Sequence, residues 1–319
     1  MKTYTSNELT SDRYHSEEFP QASGSILAAI HATCPAEWKY GEPKESDAMG
    51  LGTAAHAILL EHDDFARRFA RGVDVNDYPD ALITNKDLER WLKESGIKGY
   101  SGKSKSELIE MIEATGEHPQ IFDKIEGDFL ALCEENKMIV VPSKMFDAIV
   151  KMRTVIFQNG YGELLSHGET EQSVIDEEDG LKCRFDYVGV HGDDAVIVDY
   201  KTTSSAHPET FGAQALRMNY WLKMALQYDL FVKAYKVMPR VILLAQSTKA
   251  PYVAQAYEIT KEQLDIGREQ YQAAKRLFDR CKEANVWPAY GGNVQPLQTP
   301  SWAARQFGFD SEESIEIIK

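Results

Sequence analysis

Three residues carry most of the chemistry that the sequence offers. They are Asp186, in Arg184-Phe185-Asp186-Tyr187, and Asp199 and Lys201, in Ile197-Val198-Asp199-Tyr200-Lys201-Thr202-Thr203. In an extended chain Asp199 and Lys201, two positions apart, share a face. Carboxylates are hard oxygen ligands for Mg2+, which activates water and neutralises charge on phosphoryl oxygens. A lysine beside them can position that water or stabilise developing negative charge. The set suits metal-dependent hydrolysis of a phosphodiester. The plainer alternative is a surface hairpin whose acids and lysine are simply solvated.

A β-hairpin must bring these groups together. Segments 181–190 and 195–202 are rich in β-branched and aromatic residues and flank His191-Gly192-Asp193-Asp194, a turn signature. With 191–194 as the loop, Val190 faces Ala195, and that register carried inward sets Asp186 directly opposite Asp199. Their Cβ atoms would then lie about 4.5–5.5 Å apart, where like charges destabilise a sheet. A bridging divalent cation is the natural compensation. A bulge at the turn would separate the two acids.

Helical spacing of apolar residues marks 23–31, 35–40, 48–61, 119–136 and 143–159, and Pro208 opens what reads as one long helix to about residue 235. Strands are expected at 240–246 and 252–259, and a helix at 261–285. A unit at 84–115 holds two helical patterns around Gly96-Ile97-Lys98-Gly99-Tyr100-Ser101-Gly102. The fold class expected is α/β, a mixed central sheet flanked by helices, with this small helical insertion.

The bulk properties narrow the class. The 319 residues are 43% hydrophobic and 10% aromatic, enough for a real core. The first residues are polar and lack a signal-peptide run, and apolar stretches such as 241–245 are too short to span a bilayer. Cys34, Cys133, Cys183 and Cys281 show no CxxC spacing, so neither disulfides nor a zinc site are indicated, and a reduced cytoplasmic setting with no membrane is expected. The net charge of −15 counts against nucleic acid, which usually leaves a basic footprint. Binding depends on local fields, however, and a site that gathers carboxylates around metal is acidic partly for that reason.

The motif around Asp186, Asp199 and Lys201 resembles the PD-(D/E)XK core shared by RecB, AddB and the RecE exonucleases, the RecE (exodeoxyribonuclease VIII) type being the nearest and covering most of residues 1–319 outside the insertion. Upstream, Leu51-Gly52-Thr53-Ala54-Ala55-His56-Ala57-Ile58-Leu59-Leu60-Glu61 is similar to the family's GTA-x-H-x-x-x-LE helix. Glu171-Gln172-Ser173-Val174 resembles the strand bearing its first acid, and Trp287-Pro288-Ala289-Tyr290 and Pro300-Ser301-Trp302 resemble its C-terminal signatures.

The resemblance implies that His56, Asp186, Asp199 and the Tyr200 carbonyl bind the metal, Mg2+ with Mn2+ as substitute. It implies Lys201 as catalytic lysine and Glu171 as the residue orienting water or a second metal, with Glu163, Glu169 and Glu177 as neighbours that could be confused with it. Without the family, His56 reads as a core histidine on a half-apolar helix. The family places Tyr-x-x-Gln after the lysine; here Tyr220 is followed by Lys223, with Gln227 one turn on, so either could contact DNA.

Residues 84–115 resemble a SAP-like DNA-binding motif, with Lys98, Tyr100, Lys103 and Lys105 as candidate DNA contacts. A helical hairpin without a ligand, or one that binds protein, is the alternative.

The implied activity is 5′-to-3′ degradation of linear duplex DNA from double-stranded ends, leaving 3′ single strands for recombination, often phage-encoded. Implied partners are a single-strand annealing protein and further copies in a ring-shaped homo-oligomer. An iron–sulfur relative needs three cysteines after the core, and only Cys281 follows it. The rivals are an inert DNA-binding or scaffolding protein of the same fold, and a structure-specific endonuclease.

Overall fold

The computed structural model describes residues 1–42 and 47–292, together with 294, 296, 297 and 299. The Pro300-Ser301-Trp302 signature lies outside the described residues. In chain order the strands are β1 (Lys2–Tyr4), β2 (Ala22–Ser23), β3 (Phe69–Arg71), β4 (Ile139–Val141), β5 (Gly168–Asp176), β6 (Leu181–His191), β7 (Asp194–Thr203), β8 (Arg240–Ser247) and β9 (Ala254–Glu258). The helices are α1 (Ser11–His15), α2 (Gly24–Ala32), α3 (Pro35–Tyr40), α4 (Asp47–Leu60), α5 (His62–Arg68), α6 (Asn85–Glu94), α7 (Lys105–Glu113), α8 (Phe122–Glu135), α9 (Ser143–Gln158), α10 (Pro208–Arg217), α11 (Tyr220–Tyr235) and α12 (Lys261–Ala284).

The central sheet runs β1-β5-β6-β7-β8-β9, with β2 added parallel to β6. Only β7–β8 is parallel along the main path, and a parallel pair needs a long crossover, which α10 and α11 supply. Both faces are covered, so β8 is buried from Val241 to Ser247, and its residues Val241 to Ala245 read as an unbroken apolar run instead of alternating. One core lies against α2, α11 and α12, with Leu27, Phe185, Ile197, Leu226, Leu243 and Phe278. The other lies against α4 and α9, with Ile58, Ile149, Val196, Val198, Tyr200 and Leu244. The sheet is mixed and flanked by helices, as the sequence implies.

Two expected details change. The hairpin strands run on to a His191↔Asp194 pair, so the loop is the two residues Gly192-Asp193, with Gly192 at φ 64°, and not four. The helix expected to run unbroken from Pro208 splits at Met218-Asn219. Asn219 is left-handed at φ 55°, and its side-chain amide donates to Ala28 O at 3.3 Å. Apolar spacing passes smoothly through this break, so periodicity could not reveal it.

The insertion is a helix–loop–helix. Both helices open with reciprocal capping boxes, Thr84 with Asp87 and Ser104 with Glu107. Leu88, Leu92, Leu108, Ile112 and Ile121 form a separate core. Hydrogen bonds Leu82 N to Gln120 O (2.8 Å) and Phe122 N to Leu82 O (3.0 Å) close the unit at its base. Leu92 is fully buried there, so Leu92→Ala should destabilise this unit by about 2–5 kcal/mol. Hydrogen exchange should then rise across 82–121 and stay unchanged in β5–β8. Equal loss of protection in both would show that the unit does not unfold separately.

Candidate active site

The site forms where β6 and β7 part. Their ladder follows the expected Val190↔Ala195 register inward but ends at Tyr187↔Val198. Asp186 and Asp199 are therefore not a paired couple within the sheet, as expected from the sequence; they flank the point where the strands separate. Instead the Asp186 carboxylate accepts a hydrogen bond from Tyr200 N at 2.9 Å, an interaction possible only once the strands have let go. The alternation of β6 also shifts here: Phe185 and Val188 both join the α11–α12 core, whereas Tyr187 joins the α4–α9 core. Such re-aiming is what bulges accomplish.

On the other side of β6, the β5 ladder pairs Thr170↔Tyr187 and Gln172↔Phe185 but skips the level of Glu171 and Asp186. Glu171 is in the left-handed region, φ 57°. A non-glycine residue there is uncommon and needs support from its surroundings. Glu171, Asp186 and Asp199 thus sit at one level of three adjacent strands.

Helix α4 delivers His56 to this level. Ala54, Ala55 and Ala57 are almost fully buried, and a Cβ on Gly52 would meet Thr202 Oγ1 at 3.2 Å, so only small residues let the helix lie this close to β7. His56 Nε2 is 3.3 Å from Asp186 Oδ2 and 3.5 Å from Glu171 Oε1, while Nδ1 is 4.0 Å from Glu61 Oε1. Ligand atoms of His56, Glu61 and Glu171 all lie within 4.8 Å of one another. Lys201 pairs with Asp199 and lies 3.7 Å from Asp186 Oδ2, with its ammonium 5.7 Å from the Tyr220 ring centre. Lys201 Nζ also donates to the Tyr200 carbonyl at 3.2 Å. Tyr200 OH donates to Gln246 Oε1 (2.6 Å), whose amide donates to Met152 O and Tyr252 O, fixing this end of β7.

Burial and charge act against each other here. Burial opposes charge on His56, but Asp186 and then Glu171 outweigh it and push its pKa up to about 9. Burial likewise opposes an ionised Asp186, yet Lys201 and His56 hold it well below the usual carboxylate range. Asp199 goes the other way, raised by burial and by the charge on Asp186. Burial disfavours the Lys201 ammonium, and Asp199 and Asp186 reverse this and hold it above the ordinary lysine range.

Of the candidate DNA contacts, Tyr220 is buried beside Lys201, and the Lys223 ammonium is 5.8 Å from the same ring. Gln227 is buried, and its Oε1 has no hydrogen-bond partner among the described residues. Lys98 is exposed, Tyr100 packs on the insertion's core, Lys103 bonds Glu107 (2.8 Å) and Lys105 bonds Asp123 (2.6 Å). Two residues of the site were not singled out from sequence. Glu61 closes the α4 motif, so the motif itself carried its signal, whereas Arg184, which pairs with Glu171, is tied to the site only by the fold.

Residues 26–300 match the family described as a PDDEXK-like domain of unknown function (DUF3799). The chain belongs to this family. Among solved structures, this PDDEXK-like chain is similar to a crystal structure from Eubacterium rectale described as that of a candidate exonuclease, with TM-score 0.53 and 12% identity over 93% of this chain and 97% of that one. At that identity the likeness concerns the fold. No curated protein sequence matches the chain. Among the described residues, no helix is long and apolar enough to cross a membrane.

Because the metal-free fold favours the His56 imidazolium, this contribution to stability is complete below the unfolded pKa near 6.5 and is lost as pH rises through about 9. In chelator, the urea midpoint of the wild-type chain should therefore fall between pH 6.5 and 9 more steeply than that of His56→Ala. Parallel curves would mean that His56 is not charged in the metal-free site.

Proposed function

We propose that this PDDEXK-like protein is a metal-dependent deoxyribonuclease that degrades linear duplex DNA from its ends in the 5′-to-3′ direction. The observation that carries this reading is the convergence of His56, Glu171, Asp186, Asp199 and Lys201 on the gap between β6 and β7, with Glu61 at its edge. One imidazole and several carboxylates within reach of each other form a donor set that fits Mg2+ or Mn2+. His56, Asp186, Asp199 and the Tyr200 carbonyl would hold it, with Glu171 and Glu61 beside them. When bound, the cation supplies charge neutralisation at the phosphate and lowers the pKa of water.

The chain's own groups do the rest. Lys201, kept charged by the two aspartates, donates to a phosphate oxygen or orients the attacking water. Tyr220 faces that ammonium, and Lys223, whose charge is opposed by burial and by Lys201, gains from an incoming phosphate. The exonuclease mode and polarity, the recombination role with an annealing protein, the ring of subunits and the cytoplasmic setting rest on the RecE-like sequence resemblance. A ring would let an acidic chain hold DNA, since only its channel need be positive. The insertion is read as SAP-like and DNA-binding. Its Lys103 and Lys105 ion pairs are exposed, and such pairs are weak enough to be exchanged for phosphates.

Asp199→Ala and Lys201→Ala should each lower cleavage of end-labelled linear duplex by about 100-fold or more, with Mn2+ affinity lost only in the first. Closed circular DNA should survive alongside. Cleavage of circles at the linear rate would make the protein an endonuclease, and near-wild-type activity in either variant would move the active site elsewhere.

Replacing Lys98, Lys103 and Lys105 together by alanine should reduce the slope of log affinity against log salt by about 0.9 for each phosphate that these lysines neutralise. Turnover on saturating short substrates should be unchanged. An unaltered slope would assign the insertion to protein contacts.

A further inference from the structure

Two cations, the buried Lys182 and the largely buried Arg184, stand two residues apart on one face of β6, and both reach into the N-terminal segment. Lys182 Nζ donates to Tyr14 O (2.6 Å) and Phe19 O (2.7 Å). Arg184 NH1 donates to Leu9 O (2.9 Å) and Ser173 Oγ (3.4 Å). The segment is itself anchored, since Leu9, Tyr14 and Phe19 form a small core with Ile175. Of the two cations only Arg184 continues to the site, where its Nε pairs with Glu171 Oε2. The other carboxylate oxygen, Oε1, is the one 3.5 Å from His56 Nε2.

We propose that Arg184 is a positioning residue: it holds Glu171 in its left-handed conformation with Oε1 turned to the site, using the N-terminal segment as its fixed point. This rests on the reading that Glu171 faces a bound cation. Glu171 departs from the extended conformation of its neighbours and from the strand ladder, so some contact must oppose its relaxation. Arg184 supplies that contact through Nε while its NH1 bonds Leu9 O, a use of two atoms of one planar fork that a lysine cannot reproduce. Arg184 also lines a polar cavity of about 740 Å3 between residues 6–12 and α5, which Glu61 and Glu171 border.

The test compares Arg184→Gln, Arg184→Lys and Lys182→Met with wild type. Three quantities are read: Mn2+ affinity by calorimetry without DNA, duplex affinity by anisotropy in Ca2+, and kcat on linear duplex in Mg2+. Arg184→Gln should weaken Mn2+ binding and lower kcat by about 10–100-fold, the size typical of losing a partner that orients a ligand. Arg184→Lys should fall between it and wild type, and duplex affinity should stay within about twofold throughout. Lys182→Met should speed hydrogen exchange over residues 5–20 and weaken Mn2+ binding far less than Arg184→Gln does.

Wild-type Mn2+ affinity and kcat in folded Arg184→Gln would overturn the proposal while leaving the nuclease reading intact. Equal weakening in Arg184→Gln and Lys182→Met would also overturn it, because docking of the segment alone would then suffice. If the wild type binds Mn2+ in an Arg184-dependent way but leaves DNA whole, the positioning role stands and the nuclease reading fails.

Discussion

The structure turns on one electrostatic constraint: three carboxylates, Glu171, Asp186 and Asp199, occupy one level of three neighbouring strands, largely out of water. Like charges across a sheet repel, and a buried charge without a partner is strongly destabilising. The fold answers with three cationic groups, each from a different direction. Arg184 comes from within β6, His56 from α4 and Lys201 from β7. Both ladders of β6 give way at this level, so the acids are held by their partners and not by strand pairing. Helix α4 must lie close enough to place His56, and Gly52, Ala54, Ala55 and Ala57 around it are small enough to allow this.

Legibility in the sequence followed the range of the interactions. The hairpin and its register were readable because β-branched alternation and a Gly-Asp turn are local signals, and the helices of both layers because their apolar spacing is local too. The end of the ladder one pair short of the acids was not readable. It arises because Asp186 bonds Tyr200 N, and because a helix distant in sequence supplies His56. Nothing about Glu171 or its neighbours announces a positive φ. The same holds for the N-terminal segment: the hydrogen bonds that Lys182 and Arg184 donate to it end on carbonyls, which carry no side-chain signature. Asn219 broke a helix through a bond to Ala28 O, again a tertiary cause.

An acidic chain that handles a polyanion needs its positive charge placed where the phosphate must go. Beside His56, Lys201 lies at the gap and Lys223 lies across the Tyr220 ring from it, and burial and Lys201 both lower the Lys223 pKa. A phosphate arriving there would relieve a repulsion already present between the two lysines. On the proposed reading, the remaining acids in the gap would be compensated by a divalent cation.

Fold alone does not assign activity, since the same architecture can be kept by proteins that no longer react. What separates the two cases is whether the site keeps features that stability does not require. A scaffold would be as stable, or more so, with apolar residues in place of a buried ion-pair cluster. It would also have no use for a glutamate in the left-handed region, which an extended residue at the same place would relieve. In this chain both features coincide at one level of the sheet, together with an imidazole whose charge depends on its acidic neighbours. Strain and unfavourable burial coincide at one point, in side chains able to ligate a metal or donate a hydrogen bond to a phosphate, and this favours the proposed reading of a reaction centre over a purely structural junction.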